Sequence, residues 1–511
     1  MSKKETDNSL VEKKSAQVPK ERLDQMISLF QRKKFTKVIR EAQILLSDYP
    51  KSPTLWNLVA TAAAQEKNFD EATYAFQKVI FFQPDNVKAH YNLGVILKIQ
   101  GKLDDALQAY KSVIKIQPNH PLAHNNVGNI FKTRGMPAKA LNSYRKAIAL
   151  KPDYAEAYNN MGSTLNDLGK PDEAIKALNQ AIKLKPNYAG AYLNKSMALL
   201  KNQEFEKGFK LHEWRWSTDS HDSKFLQSSK PLWNGQKNKV VFLWAEQGVG
   251  DEIMYSSLIP ELHEICTKLI VQCDKRLIPL FKRSFHKDIN YYDKSDVVID
   301  TLYDFHTSTG SLPRVFRKSL KSFEKTNNGY LFHDKNRSQQ LRKALINDRK
   351  NILIGISWKT FSKLDDAPNR NIKLYEIARA LESANTRLVC LQYGNVAEEI
   401  SELKNKFNID ITTVPNIDNH NDIDGLASLI MACDTIVSTT NVTVHLAGAL
   451  GKDVHVLLPF SSRWIWGLNR SPPSWYKNAF PYRQPKDGNW KFTIKSLVTN
   501  LKKQNQQEIK K

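Results

Sequence analysis

A chain of 511 residues is too long for one hydrophobic core, so roughly two to four folding units are expected. Apolar residues make up 41% and charged residues 25%, a globular composition that excludes a largely disordered chain. The formal charge of +24 is shared by both halves without a basic block or an aromatic-interleaved patch, which argues against a nucleic-acid partner and leaves a surface able to attract an anion.

The opening residues Met1 to Ser9 are polar, so 1–18 read as a disordered N-terminus and not as a signal peptide. No run of about 18 apolar residues offers a transmembrane segment, and the cytoplasm is the expected location. Cys266, Cys273, Cys390 and Cys433 form no C-x-x-C pair and lie beside apolar runs, so they read as buried reduced thiols.

Self-similarity organises the first half. Asn92-Leu93-Gly94 recurs as Asn126-Val127-Gly128 and Asn160-Met161-Gly162. Ala106, Ala140 and Ala174 follow at a constant distance, then Pro118, Pro152 and Pro186. Trp56, Ala60, Ala72, Phe76 and Pro84 fit the same frame, and the last copy, from Ala189, keeps Tyr192 and Asn194. Small residues let two antiparallel helices approach, Tyr110 and Tyr144 fill the groove between them, and the prolines end each pair. The pattern resembles the tetratricopeptide repeat over residues 19–222, about six copies, and predicts an α solenoid with a concave face. Asn92, Asn126, Asn160 and Asn194 recur on the first helices, and an amide ladder there suits the backbone of a protein or peptide partner. The same asparagine also belongs to the general repeat pattern.

Residues 223–236 are Ser/Lys-rich and read as a linker. Beyond them, two α/β lobes are expected, 237–345 and 350–505. In the first, Val240–Ala245 predicts a buried strand, with further strands at 269–271 and 297–299. In the second, strands at 352–358, 387–392, 409–414, 435–437 and 454–458 alternate with helices near 375–383, 398–406, 425–432 and 442–450. Such alternation means Rossmann-like, doubly wound sheets with a ligand cleft between the lobes.

Two loops can carry chemistry. Gly248-Val249-Gly250-Asp251 lies between a strand and a helix, where glycines admit a ligand to the backbone and Asp251 is either a helix cap or a general base. In Ser438–Gly451, Thr440 or Asn441 can cap a helix whose N–H groups suit a diphosphate. His445 in that helix is either structural or a donor to the leaving diphosphate. Asp422-Ile423-Asp424 mimics a metal-binding D-x-D but stands directly before a helix, so capping is expected and no metal site is predicted. Trp464, Trp466, Trp475 and Tyr476 either stack on a sugar or clamp the C-terminal tail against the first lobe.

Residues 233–500 resemble the glycosyltransferase domain of bacterial tetratricopeptide proteins, itself similar to ADP-heptose:lipopolysaccharide heptosyltransferases of GT-B fold and, more distantly, to protein O-GlcNAc transferases. The resemblance rests on Ala-Glu-Gln-Gly-Val-Gly-Asp-Glu (245–252), Gly-Ile-Ser-Trp-Lys (355–359), Asn-Arg-Asn-Ile (369–372), Leu-Gln-Tyr-Gly (391–394), Asp-Ile-Asp-Gly-Leu-Ala (422–427), Val-His-Leu-Ala-Gly-Ala-Leu-Gly (444–451) and Tyr-Arg-Gln (482–484). It implies inverting, metal-independent sugar transfer from a nucleoside-diphosphate sugar, which is a substrate and not a cofactor. Asp251 would be the base, Lys359 and Arg370 cations at the diphosphate, and Gln392 and Tyr393 contacts to base or ribose. Thr440, Asn441, Thr443 and His445 would form the phosphate-binding helix start. Heptosyltransferases carry Asp-Thr-Gly where this chain has Thr440-Asn441-Val442, so heptose is not implied. The rival reading is a non-enzymatic tetratricopeptide scaffold with a degenerate lobe pair.

Overall fold

The computed structural model describes residues 18–218, 225–326, 329–346, 352–361, 368–468, 475–485 and 488–508. The expected disorder before residue 18 therefore lies outside the described residues. Contacts divide the chain into two compact units, one running to Thr164 with Gln180–Pro186, the other holding Leu165–Asn179 and Asn187 onward. No helix among the described residues is long and apolar enough to cross a membrane.

The helical array comprises α1 (Lys20–Gln31), α2 (Phe35–Asp48), α3 (Pro53–Gln65), α4 (Phe69–Phe82), α5 (Val87–Ile99), α6 (Leu103–Ile116), α7 (Pro121–Thr133), α8 (Pro137–Leu150), α9 (Ala155–Asp167), α10 (Pro171–Leu184), α11 (Ala189–Lys201) and α12 (Phe205–His212). Local chemistry sets their ends. Ser52, Asn68 and Asn86 accept from backbone N–H groups of α3, α4 and α5, and Pro53, Pro121 and Pro137 occupy first turns where no N–H is needed. After the first helix of each pair the chain turns through a left-handed residue: Lys33, Lys67, Gly101, Gly135, Gly169 and Gln203. Glycine suits that place at no steric cost, and Lys33, Lys67 and Gln203 adopt the same left-handed backbone without it.

In two of the pairs, α5–α6 and α7–α8, a glycine receives a tyrosine ring. A Cβ on Gly94 would lie 2.8 Å from Tyr110, and one on Gly128 2.5 Å from Tyr144. Both tyrosines are fully buried, and Tyr144 donates to Asn129 Oδ1 at 2.8 Å. This is the small-against-large pairing expected from the repeat.

The second unit contains two parallel sheets. The first has order β3-β2-β1-β4, from β1 (Val240–Trp244), β2 (Lys268–Cys273), β3 (Asn290–Asp293) and β4 (Phe305–Ser308). Its helices are α13 (Val249–Ser256), α14 (Ile259–Ile265), α15 (Ile278–Ser284) and α16 (Pro313–Phe316). After α17 (Lys335–Leu345) comes the second sheet, order β10-β9-β8-β5-β6-β7. It is built from β5 (Ile352–Ser357), α18 (Leu374–Leu381), β6 (Thr386–Cys390), α19 (Ala397–Phe407), β7 (Ile411–Thr412), α20 (Ile423–Ala432), β8 (Thr435–Thr439), α21 (Val442–Ala449), β9 (Val454–Leu458), β10 (Ala479–Arg483) and α22 (Trp490–Glu508).

Alternate residues of β5 and β8 enter separate cores: Leu353 and Ile436 on one face, Ile354, Ile356 and Val437 on the other. A sheet buried on both faces needs the continuous apolar strands seen in the sequence. Strand order reverses between β1 and β4 in one sheet and between β5 and β8 in the other, so each has a switch point where crossovers leave in opposite directions.

Four strand readings change, the first being Asn290–Asp293, a strand that the sequence pattern did not mark. Val297–Ile299 is not a strand; Val297 is 86% exposed, and its apolar run is too short to be held without partners. The fourth strand is Phe305–Ser308, whose polar His306, Thr307 and Ser308 are buried. β10 carries Pro481 and pairs only with β9, at the edge where a missing N–H is tolerated. Residues 225–236, expected as a linker, hold the buried Trp233 and a parallel bridge from Leu232 to His306.

A direct consequence concerns the repeat. Gly128→Val should overpack against Tyr144 and lower stability by about 1–3 kcal/mol, read as a shifted denaturant midpoint with helical circular dichroism retained. An unchanged midpoint would show that the glycine–tyrosine pairing does not constrain the array.

Candidate functional site

The loop leaving β1 sits at the switch point of the first sheet and is held from three sides. Glu246 is buried and takes a bidentate pair from Arg215, at 3.2 and 2.9 Å. Arg215 is itself 1% exposed and also donates to Ser308, Ser311, Glu213 and the His212 carbonyl. Gly310 makes room for this pair, because a Cβ there would lie 1.9 Å from Glu246 Oε1. Lys294 donates to the Gln247 carbonyl at 2.8 Å and pairs with Glu252 at 2.6 Å. Gly248, the backbone cap of α13, faces open space: a Cβ there would meet nothing within 4 Å.

Asp251 is the third residue of α13, and its side chain does not cap the helix. The carboxylate is half-buried and lies 3.7 Å from the Arg463 guanidinium. Burial pushes its proton affinity up, opposed chiefly by Arg463 and more weakly by Arg370 and Lys294, while Glu246 adds to the rise. The cap-or-base ambiguity of the sequence thus resolves away from capping.

The second sheet's switch point is closed by Asn441. Its Oδ1 caps α21 by accepting from Thr443 N at 3.0 Å. Its Nδ2 donates to Ser357 Oγ at 2.7 Å and to the Lys359 carbonyl at 3.1 Å, tying the end of β8 to the end of β5. Arg370 is buried and donates to the Thr440 carbonyl at 3.1 Å. His445 lies against the other helix: a Cβ on Gly250 would be 3.1 Å from its ring. Its Nδ1 meets the Tyr476 hydroxyl at 3.1 Å. Burial, with Arg463 and Arg370 nearby, lowers the His445 pKa to about 3, so the ring is neutral at physiological pH.

Asp251, His445, Arg370, Thr440 and Asn441 therefore gather where α13 meets α21. Other residues named from sequence do not join them. Lys359 leaves the end of β5 as expected, but its ammonium pairs with Glu399 at 2.5 Å. Gln392 accepts from Ser357, Trp358 and Lys359 and donates to two carbonyls, so its amide stitches the strand ends together. The Tyr393 hydroxyl contacts Thr360 and Phe361 N, and Thr443 is fully buried against the Leu391 carbonyl. Asp422 caps α20 and pairs with Arg337, while Asp424 pairs with Arg283. Among the described residues, no group of three His, Cys, Asp or Glu is placed to hold a metal ion.

Trp464 packs on Phe209 and Trp475, and Trp475 donates to the Met254 carbonyl of α13, so these aromatics clamp as one of the two sequence readings required. Sequence reasoning missed Arg463, Arg215 and Glu246. Arg463 sits inside that aromatic run, and a polar residue there was the available signal.

On the array, Asn92, Asn126, Asn160 and Asn194 are half-buried at equivalent positions of α5, α7, α9 and α11. Asn126 Nδ2 donates to the Tyr91 hydroxyl and Asn160 Nδ2 to Asn125 Oδ1, each in the preceding repeat. These donors bridge neighbouring repeats.

Residues 87–120 and 155–188 match the tetratricopeptide repeat family, and residues 128–169 match a family described as TPR repeat. The chain is 26% identical over 326 residues to Protein FlbA of Caulobacter vibrioides (strain ATCC 19089 / CIP 103742 / CB 15), covering 60% of this chain and 54% of FlbA. It thus spans about half the length of that curated relative. It is similar to the solved structure of MamA from Desulfovibrio magneticus RS-1, at 19% identity over 33% of this chain and 97% of MamA, TM-score 0.31. It is also similar to YrrB, a TPR protein with an unusual peptide-binding site, at 16% identity over 34% of this chain and 89% of YrrB, TM-score 0.30. The chain carries tetratricopeptide repeats.

The buried, neutral His445 makes a prediction about stability. Its folded pKa lies below the ordinary value of 6.5, so the unfolded chain binds the extra proton first. Its contribution is complete above pH 6.5 and is lost as pH falls toward about 3. His445→Gln should flatten the loss of stability over that window, by up to about 1.4 kcal/mol per pH unit, in unfolding measured at several pH values. Parallel pH curves for the two proteins would refute a buried neutral imidazole.

Proposed function

We propose that the second unit is a glycosyltransferase of GT-B type, moving a sugar from a nucleoside-diphosphate donor to a protein or glycan acceptor that the repeats recruit. The observation that supports this most is the position of Asp251. A carboxylate from the first sheet's switch point faces Arg463 and Arg370 of the second. Ligands of doubly wound sheets bind outside the carboxyl ends of the strands at such points, and here two of them meet. Gly248 borders open space beside the same carboxylate.

In this reading, Asp251 takes the proton of the acceptor hydroxyl. The acceptor oxygen attacks the anomeric carbon, the bond from that carbon to the diphosphate breaks, and its electron pair stays on the diphosphate oxygen. Inversion follows from a single displacement. Arg370 and the start of α21 stabilise the leaving charge, the larger contribution in transfers of this kind. His445, being neutral, acts as a hydrogen-bond donor and not as a cation. Lys359 reaches a donor only by leaving Glu399. The four free cysteines, three of them buried, fit a cytoplasmic setting.

A scaffold reading draws on one observation: the Asn441 and Gln392 amides are satisfied within the protein. Here the lobe pair would be a closed, inert body and the repeats the working part.

Melting curves against a panel of nucleoside diphosphates separate the two. A transferase is stabilised by at least one, and Asp251→Asn retains or deepens that stabilisation while turnover of the matching nucleotide sugar falls roughly 10²- to 10⁴-fold. Absence of any nucleotide effect and of any turnover would support the scaffold and sink the enzyme.

A further inference from the structure

Three arginines near the site are held in different ways, and the difference has a use. Arg215 is locked inside the fold by its bidentate pair and four further acceptors. Arg483 is also locked, donating to the Phe460 carbonyl at 3.3 Å, Ser462 Oγ at 2.5 Å and the Gly467 carbonyl at 2.5 Å. Arg463 is not. Its side chain is 41% exposed, and at 3.7 Å from Asp251 it lies beyond the length of a charge-assisted hydrogen bond.

The backbone that carries Arg463 is nonetheless anchored. Arg483 holds both ends of the segment from Phe460 to Gly467. Trp464 packs edge-on to Phe209 of α12 at 5.4 Å and to Trp475 at 5.8 Å. Trp466 lies 5.8 Å from the His445 ring and 6.3 Å from Tyr476. Gly467 ends the turn at φ +60°, where glycine is favoured. The arrangement is a fixed base with a long, solvated cation at its tip.

Resting on the glycosyltransferase reading, we propose that Arg463 exchanges partners. In the empty site it faces Asp251; when the donor enters it turns to the diphosphate, leaving Asp251 without its nearest counter-ion. The balance of charge favours the exchange. An exposed, loosely matched ion pair contributes little, whereas a diphosphate presents more charge and several acceptors to a planar guanidinium. The groups facing Asp251 are then Glu246, which disfavours its charge, and Arg370 and Lys294, which favour it, with the neutral His445 alongside. Removing Arg463 from this set raises the carboxylate's proton affinity when a base is needed. Donor binding thereby switches on the base.

The test uses the full chain, inorganic pyrophosphate, and whichever nucleoside diphosphate stabilises the wild type. Arg463→Gln should weaken nucleoside-diphosphate binding tenfold or more, Arg463→Lys should restore part of it, and pyrophosphate should follow the same order by calorimetry. Asp251→Asn should tighten binding in the wild-type background and do so at most half as strongly alongside Arg463→Gln. In turnover, Arg463→Gln should move the acid limb of kcat/KM, which reports the free enzyme, to higher pH and leave that of kcat in place. Equal affinity in wild type and Arg463→Gln, with both limbs unmoved, overturns the exchange. Failure of every nucleoside diphosphate to stabilise the wild type overturns the underlying reading instead.

Discussion

The candidate site exists because α13 and α21 touch. Gly250 lets the first turn of one helix rest on His445 of the other, and a side chain at that position would push against the imidazole. Gly448 does the same on the far side of α21, where a Cβ would lie 2.5 Å from Tyr476. Tyr476 in turn holds His445 through its hydroxyl. Tyr330 and Trp475 then donate to carbonyls of α13, so the helix is fixed along its length as well as at its start. Small residues at the contact, with aromatic donors around it, bring a carboxylate from one sheet to cations from the other. Interiors packed at this density leave little slack, which is why such a placement can be held to fractions of an ångström.

Around this contact the charges divide into locked and loose groups. The Arg215–Glu246 pair is buried on both sides and fully hydrogen-bonded, and a pair of this kind contributes to geometry more than to stability. It joins the end of the helical array, through Glu213–Ser217, to the loop that leads into α13. Removing one partner would leave the other charge buried and unmatched, a cost of about 3–5 kcal/mol. Asp251 and Arg463, by contrast, are partly open to water. Rigid scaffolding beneath an adjustable pair is what a site needs if its electrostatics are to respond to a ligand.

Much of the architecture could be read from the residues, and the reasons differ by region. The repeats were legible because their glycine, alanine, tyrosine and proline positions are dictated by helix contact and recur at a fixed spacing. Strands such as Val240–Trp244 and Val454–Leu458 were legible because both faces of these sheets are buried, which demands unbroken apolar runs. Phe305–Ser308 was not, because its buried polar side chains carry no apolar period; the Ser308 hydroxyl serves Arg215 instead. Val297–Ile299 misled for the opposite reason, an apolar triplet whose Val297 and Ile299 are exposed while only Val298 packs inward. Within the site, Asp251 and His445 could be found from strand–loop–helix logic, and Arg370 only through the family resemblance. Glu246 could not, and Arg463 showed only as a polar residue inside an aromatic run, since their partners lie some thirty and more than two hundred residues away in the chain.

A crystal structure of the full chain soaked with a stabilising nucleoside diphosphate addresses the central claim most directly. The account predicts phosphate oxygens about 3 Å from the Arg463 and Arg370 guanidinium groups beside Gly248, with the Asp251–Arg463 distance lengthened. A nucleotide seated elsewhere, with α13 and α21 unchanged and Arg463 still on Asp251, would contradict it.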